Sequence, residues 1–156
     1  MGLDPIYEAK EMLPGSEYSV LSILLFHELG HALIHELNIM DLTNQEIMAD
    51  TFATVFAIES FDNPKMVYEY ALFLDKMPRD LSIEALWSEH RLDQQRYFDA
   101  ICLLYGSETF PKVQTLVPNE WMRDNGQRCT EDYPIIVDSW YEAISVALKS
   151  SVKTYP

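Results

Sequence analysis

Apolar side chains recur along most of the chain every three or four residues, a spacing that places them on one face of an α-helix. Short clusters of Pro, Gly, Asn, Asp and Ser separate the periodic segments. The pattern predicts a turn at Pro14-Gly15-Ser16 and a polar loop over Asn119 to Thr130. It predicts helical segments at residues 17–37, 43–60, 65–76, 88–104, 111–116 and 133–150.

Signals for β-strands are weak. The β-branched run TFATVF at 51–56 lies inside a segment that has helical periodicity. No repeat, low-complexity tract or linker divides the chain. We therefore predict a mainly α fold, with one compact helical domain over residues 1–156 and little or no β-sheet.

The composition indicates a folded, acidic protein. Its 156 residues are 48% hydrophobic, which is enough apolar material for a core. The net charge is −14, and residues 1–78 carry 3 basic against 13 acidic side chains. This charge argues against a nucleic-acid partner and favours a cationic or metallic one for the first half of the chain. The most apolar stretch, 20–26, is too short for a membrane span.

The most informative motif is His27-Glu28-Leu29-Gly30-His31, an H-E-x-x-H pattern inside a predicted helix. At 100° per residue the two imidazoles lie about 40° apart and one turn from each other, so both can reach one ion. Glu28 projects to the side of that face, where its carboxylate can take a proton from a water molecule that the metal has made acidic. The other interpretation is a helix with two buried histidines, which leaves their polar atoms without evident partners at a cost of a few kcal/mol.

A peptidase-type zinc site needs a third protein ligand and an open fourth position. Glu46 and Asp50 lie four residues apart on a predicted helix whose small residues allow it to pack close to Gly30. Glu46 then completes the ligand set, and Asp50 can hydrogen-bond the far nitrogen of a ligand histidine. Alternatively, Thr43-x-x-Glu46 is a capping box in which Glu46 covers backbone N–H groups, unless Asp41 caps the helix instead.

Four stretches together resemble a bacterial metallopeptidase family that is defined as a domain of unknown function, and the first two also resemble the gluzincin-like zinc peptidases. They are FHELGHALI from residue 26, ADTFA from 49, which ends the gluzincin-like stretch ExxADTFA from 46, WSEHRLDQQRYFDAICLLYG from 87 and RCTEDY from 128. The resemblance implies a zincin-like pair of helices, Zn²⁺ as cofactor, and a peptide or protein substrate. It implies His27, His31 and Glu46 as zinc ligands and Glu28 as general base.

The two other histidines are weaker candidates. His90 opens the helix predicted over 88–104, and His90 or Tyr97 is a candidate donor to the oxyanion that forms during peptide hydrolysis. The alternative for His90 is a structural hydrogen-bond network at the start of that helix. His35 does not match the third histidine of a metzincin, which falls at Leu37, so we expect it to support a ligand or to be exposed.

Cys102 and Cys129 belong to no C-x-x-C motif, and either a disulfide or two free thiols fits their spacing. The family resemblance favours the disulfide and, with it, a periplasmic or secreted location. Residues 1–13 carry acidic side chains where a secretion signal has a basic and then an apolar segment, so we predict no signal peptide there.

The sequence therefore favours a zinc-dependent hydrolase of peptide bonds in which Glu28 is the general base. One alternative is a metal-binding regulatory or interaction module with little or no proteolytic activity, because only residues 1–26 precede the motif. A metal-free helical interaction protein is a further alternative. A site that opens into a peptide-sized cleft favours the hydrolase.

Overall fold

The computed structural model describes residues 5–39, 44–78 and 92–152. Within these ranges the chain is helical and contains no strand, so the prediction of a mainly α fold is confirmed. The helices are α1 (Pro5–Met12), α2 (Glu17–Glu36), α3 (Gln45–Val55) with a π-helical turn at Phe56–Ser60, α4 (Pro64–Lys76), α5 (Asp93–Gly106), a 3₁₀-helix (Pro111–Leu116) and α6 (Asn119–Val152).

Helix α2 lies at the centre of the fold and packs against α1, α3 and α4, while α5 packs against α3, α4 and α6. The buried apolar residues of α2 are Val20, Ile23, Phe26 and Ile34, which follow the helical spacing in the sequence. The facing side of α3 carries Ala49 and Ala53, both almost completely buried, and these small side chains let the two helices approach closely. The core therefore fixes α2 and α3 against each other.

The prediction of a loop over Asn119 to Thr130 is wrong, because α6 begins at Asn119 and continues without interruption. The polar residues of this stretch form the exposed side of the helix, and Gly126, Cys129 and Tyr133 form its buried side. Packing of that side against α5 outweighs the backbone hydrogen bond that Pro134 cannot donate.

Other boundaries differ by a few residues from the sequence expectation. Helix α3 begins at Gln45, and the segment 56–60 at its end has π-helical hydrogen bonds. Helix α1 was not predicted, because its eight residues are too few to show a clear helical spacing of apolar side chains. The predicted turn at Pro14-Gly15-Ser16 is confirmed, and Gly15 has a φ of 93°, which favours glycine.

Cys102 in α5 and Cys129 in α6 form a disulfide, with their Cα atoms 5.1 Å apart. The expectation of a bridge is thereby confirmed. The backbone of Gly106 lies against that of Cys129, one turn beyond Cys102 on α5. The disulfide and the close backbone contact therefore join α5 and α6 at neighbouring positions along the two helices.

None of the helices in the three described ranges combines the length and the apolar character that a bilayer crossing requires.

Candidate metal centre

Helices α2 and α3 meet at Gly30. A Cβ atom added to Gly30 would lie 3.0 Å from Ala49 Cα, 3.3 Å from the Ala49 carbonyl oxygen and 3.2 Å from a ring carbon of Phe52. These separations are tighter than ordinary side-chain contacts, so even an alanine at position 30 would require α3 to shift by a few tenths of an ångström. The close approach places the first turn of α3 beside the H-E-x-x-H turn of α2, because Ala49 is one turn beyond Glu46.

Donor atoms of three residues converge at this crossing. His27 Nε2 lies 3.1 Å from His31 Nε2, and the Glu46 carboxylate meets both rings, with Oε2 3.4 Å from His27 Nε2 and Oε1 3.2 Å from His31 Nε2. The edge of a tetrahedron around an ion with bonds of 2.0–2.2 Å is about 3.3–3.6 Å, so the two nitrogens and the carboxylate lie close to the spacing that one metal ion requires. Two imidazoles and a carboxylate are also the ligand types of catalytic zinc sites. The three residues therefore form a group that can hold a metal ion.

Glu46 reaches this group because another residue caps α3. The side-chain oxygen of Asn44 accepts a hydrogen bond from the backbone N–H of Glu46, with a donor–acceptor distance of 2.8 Å. The Glu46 carboxylate faces the histidines, as the ligand interpretation requires and the capping box does not. Thr43 and Asp41, the two caps considered from the sequence, lie outside the described residues.

Asp50 holds the far side of the His27 ring. Its Oδ1 lies 2.8 Å from His27 Nδ1, as expected for a carboxylate that orients a ligand histidine. Burial raises the pKa of Asp50, but the hydrogen bond with His27 and the charge of Arg96 outweigh this effect and bring the pKa below its usual value. Asp50 is therefore ionised at neutral pH and accepts a hydrogen bond from His27.

Sequence analysis did not find Arg96, which binds the same carboxylate. Its Nε donates to both oxygens of Asp50 at 3.2 and 3.0 Å, and a terminal nitrogen donates to Oδ1 at 2.7 Å. Its guanidinium also lies over the ring of Tyr70, 5.8 Å from the centroid. The available signal is that Arg96 shares a helical face with the buried residues Ala100 and Leu103, an unusual place for a charged side chain.

Glu28 and His35 lie on exposed parts of α2. The Glu28 carboxylate has no hydrogen bond or ion pair with any residue that the structure describes, and its assignment as general base stays a prediction. The His35 side chain is 86% exposed and its Nδ1 lies 3.3 Å from Glu36 Oε1. His35 is thus the exposed histidine that the sequence allowed, and it takes no part in the three-residue group.

The candidates for oxyanion binding are not supported by the described residues. His90 lies outside them, so its role stays a prediction. Burial raises the pKa of Tyr97 to about 12, and its hydroxyl donates a 2.8 Å hydrogen bond to the carbonyl of Leu116. The Tyr97 proton is therefore directed to the 3₁₀-helix, which argues against the suggestion that it stabilises an oxyanion at the histidines.

The candidate site is closed on one side and open on the other. The side chain of His27 is 9% exposed, whereas those of Glu46 and His31 are 20% and 26% exposed. The His31 and Glu46 side chains are thus the more exposed part of the group, and His27 is its buried part. This asymmetry is typical of a metal site that keeps a position for water or substrate.

Replacing Gly30 with Ala is expected to weaken metal binding by about tenfold and to lower the free energy of unfolding by about 1–3 kcal/mol. The added methyl group presses on the Ala49 backbone and separates α3 from the histidines. Chelator competition and urea unfolding measure the two effects. Leu25→Ala, on the exposed face of the same helix, is the control and keeps wild-type metal affinity. Unchanged affinity in Gly30→Ala would contradict the role given to this close approach.

Comparison with known families agrees with the geometry. The model of a family described as "Putative metallopeptidase" matches residues 7–144. No curated protein and no solved structure matches the chain. The matched segment contains the three converging residues together with Asp50 and Arg96. Because it covers most of the chain, the protein belongs to this metallopeptidase family.

Proposed function

We propose that the protein is a zinc-dependent peptidase in which His27, His31 and Glu46 bind the ion and Glu28 is the general base. The observation that carries the proposal is the convergence of two imidazole nitrogens, 3.1 Å apart, with the Glu46 carboxylate, whose oxygens lie 3.2 Å from His31 and 3.4 Å from His27. The H-E-x-x-H spacing, the donor types and membership of the metallopeptidase family support it. Zinc is the best match to two imidazoles and one carboxylate with an open fourth position.

The chain's own residues divide the chemistry among them. A zinc ion bound here supplies acidity for a water molecule and positive charge for the scissile carbonyl. Glu28 follows His27 directly, and its exposed carboxylate can accept a proton from that water and return it to the leaving amine. Asp50 holds the His27 ring in place throughout. This division resembles the gluzincin arrangement that the sequence suggests.

The exposure of the site favours a peptidase over a purely structural metal site. Structural zinc sites usually have four protein ligands, whereas catalytic sites have three and an accessible position. Three residues that can bind a metal converge here, and two of them, His31 and Glu46, are partly exposed. A peptide can therefore approach the ion from the His31 side without displacing a core residue.

Zinc content is the test of the ligand assignment. We expect protein purified without added metal to contain about one zinc ion per chain, and His31→Ala to contain little or none. His35→Ala is the matched control, because His35 lies one turn away on the same helix and is exposed, and it is expected to keep the ion. Equal zinc in His31→Ala and the wild type would contradict the assignment.

Hydrolysis of a mixed peptide library by the zinc-loaded protein tests the reaction itself. New amino termini are expected to appear, and they should be lost on addition of a chelator. Zinc binding without any cleavage would favour the metal-binding module over the peptidase.

We also propose an extracytoplasmic location. The disulfide between Cys102 and Cys129 supports it, because cytosolic reductants keep most thiols reduced. When the native cells are lysed in acid and treated with an alkylating reagent, the two cysteines are expected to stay unmodified unless a reductant is added first. Modification of both cysteines without reductant would count against this location.

A further inference from the structure

Three helices contribute one residue each to a continuous line of contacts that ends at the metal-binding group. Arg96 of α5 contacts Asp50 of α3, and Asp50 contacts His27 of α2. The residues are far apart in sequence, with a separation of 46 between Arg96 and Asp50 and of 23 between Asp50 and His27. Tertiary packing, not local structure, therefore creates this line.

The contact between Arg96 and Asp50 fixes the orientation of the carboxylate. Nε and one terminal nitrogen of the guanidinium together reach both carboxylate oxygens, at 2.7–3.2 Å. A planar fork that engages both oxygens restrains rotation of the carboxylate, which a single ammonium contact does not. The Asp50 side chain is 12% exposed and that of Arg96 is 19% exposed, so water competes weakly for these bonds.

The orientation of Asp50 determines which nitrogen of His27 carries the proton. A carboxylate accepts hydrogen bonds and does not donate them, so His27 Nδ1, at 2.8 Å from Oδ1, carries the hydrogen in the neutral ring. The lone pair is then on Nε2, the atom that lies beside His31 and Glu46. Metal binding requires this tautomer, because the ligand nitrogen must be unprotonated.

Arg96 is itself held from its other side. Its guanidinium lies over the ring of Tyr70, which is 4% exposed and belongs to α4. The Tyr70 hydroxyl has no hydrogen-bond partner among the residues that the structure describes. The ring, and not the hydroxyl, therefore supports the guanidinium.

From this geometry we infer that Arg96 is a positioning residue of the metal centre: it locks Asp50, and Asp50 holds His27 with its Nε2 lone pair turned to the metal. The inference rests on the proposed assignment of His27 as a metal ligand. It gives a partly buried arginine of α5 a role in metal affinity although Arg96 is not a ligand.

Zinc affinity, measured by competition with a chromophoric chelator, tests the inference. We expect Arg96→Gln to bind zinc about 10–100 times more weakly than the wild type. Arg96→Lys should lose less, because the positive charge stays and only the forked contact is lost. Tyr70→Phe is the matched control, since it keeps the ring under the guanidinium, and should bind zinc as the wild type does. Wild-type affinity in both Arg96 variants would overturn the inference.

A double variant separates positioning from a general structural effect. If Arg96 acts through Asp50, Asp50→Asn combined with Arg96→Gln weakens zinc binding no more than Asp50→Asn alone. Losses that multiply in the double variant would show that Arg96 acts by another route and would overturn the inference.

The imidazole ¹⁵N spectrum of the metal-free protein gives a readout that does not depend on zinc. We expect His27 to be protonated at Nδ1 in the wild type and to populate both tautomers in Arg96→Gln or, if that variant does not fold, in Arg96→Lys. A mixture already present in the wild type would overturn the inference. If the wild type binds no zinc but shows the single tautomer, the proposed ligand role fails while the positioning of His27 by Asp50 stands.

Discussion

Replacing Glu28 with Gln is expected to leave zinc bound and to lower the turnover number for peptide hydrolysis by about 10²–10⁴-fold, the usual contribution of a general base. Glutamine has nearly the same size and keeps a polar oxygen, but it cannot accept the proton. Because Glu28 has no hydrogen bond or ion pair with any described residue, its replacement removes no contact that stabilises the fold. Zinc content, circular dichroism and kcat on one cleaved peptide measure the three expectations.

The matched control for this experiment is Glu36→Gln. Glu36 is on the same helix, and its side chain is 77% exposed and contacts only His35 among the described residues. Its replacement removes the same charge from α2 and should leave kcat unchanged. If the two variants hydrolyse the peptide equally well, the charge of Glu28 matters only through the overall field and its assignment as base is wrong.

Replacing Gly106 with Ala is expected to lower the free energy of unfolding by about 3 kcal/mol or more, at the upper end of the cost of overpacking a core. The added Cβ atom would collide with the carbonyl group of Cys129 and approach Tyr133 Cβ to 2.9 Å. These are backbone and near-backbone atoms, which have no alternative rotamer. The disulfide from Cys129 to Cys102 also prevents α6 from moving away from α5 at this level.

Urea unfolding of the oxidised protein measures this loss, and Gly126→Ala is its matched control. A Cβ atom at Gly126 would meet only the outer ring atoms of Tyr105, at 3.1–3.2 Å, and a ring can rotate or shift by a few tenths of an ångström. The gain in helix propensity of up to about 1 kcal/mol offsets that adjustment. A loss in Gly106→Ala no larger than in Gly126→Ala would show that α5 and α6 are less tightly joined than the structure indicates.

The sequence predicts the central helix and most of the candidate site because their signals are local. The periodicity over residues 17–37 predicts α2 to within one residue of its observed end at Glu36. His27 and His31 are one helical turn apart, so their convergence follows from helix geometry alone. Glu46 is less certain from the sequence, because capping and metal binding both fit its position until the cap at Asn44 is seen.

The features that the sequence did not predict depend on packing between distant segments. The polar residues after Asn119 resemble a loop because their buried side is narrow and includes a glycine. Only the presence of α5 makes a helix more stable there. The role of Arg96 was missed for the same reason, because no residue near it in sequence indicates that it will contact Asp50. The local sequence pattern therefore predicts most of the helices, whereas the partners of charged side chains such as Arg96 depend on long-range contacts.

The unequal exposure of the two histidines also bears on how fast metal can be exchanged. On the proposed function, an ion enters and leaves on the side of His31, whose side chain is 26% exposed, whereas that of His27 is 9% exposed and lies against Asp50. Access to the site then requires only rotation of exposed side chains, which takes about picoseconds to nanoseconds, and not the opening of the core. On that proposal, the folded chain can take up or lose its ion without unfolding.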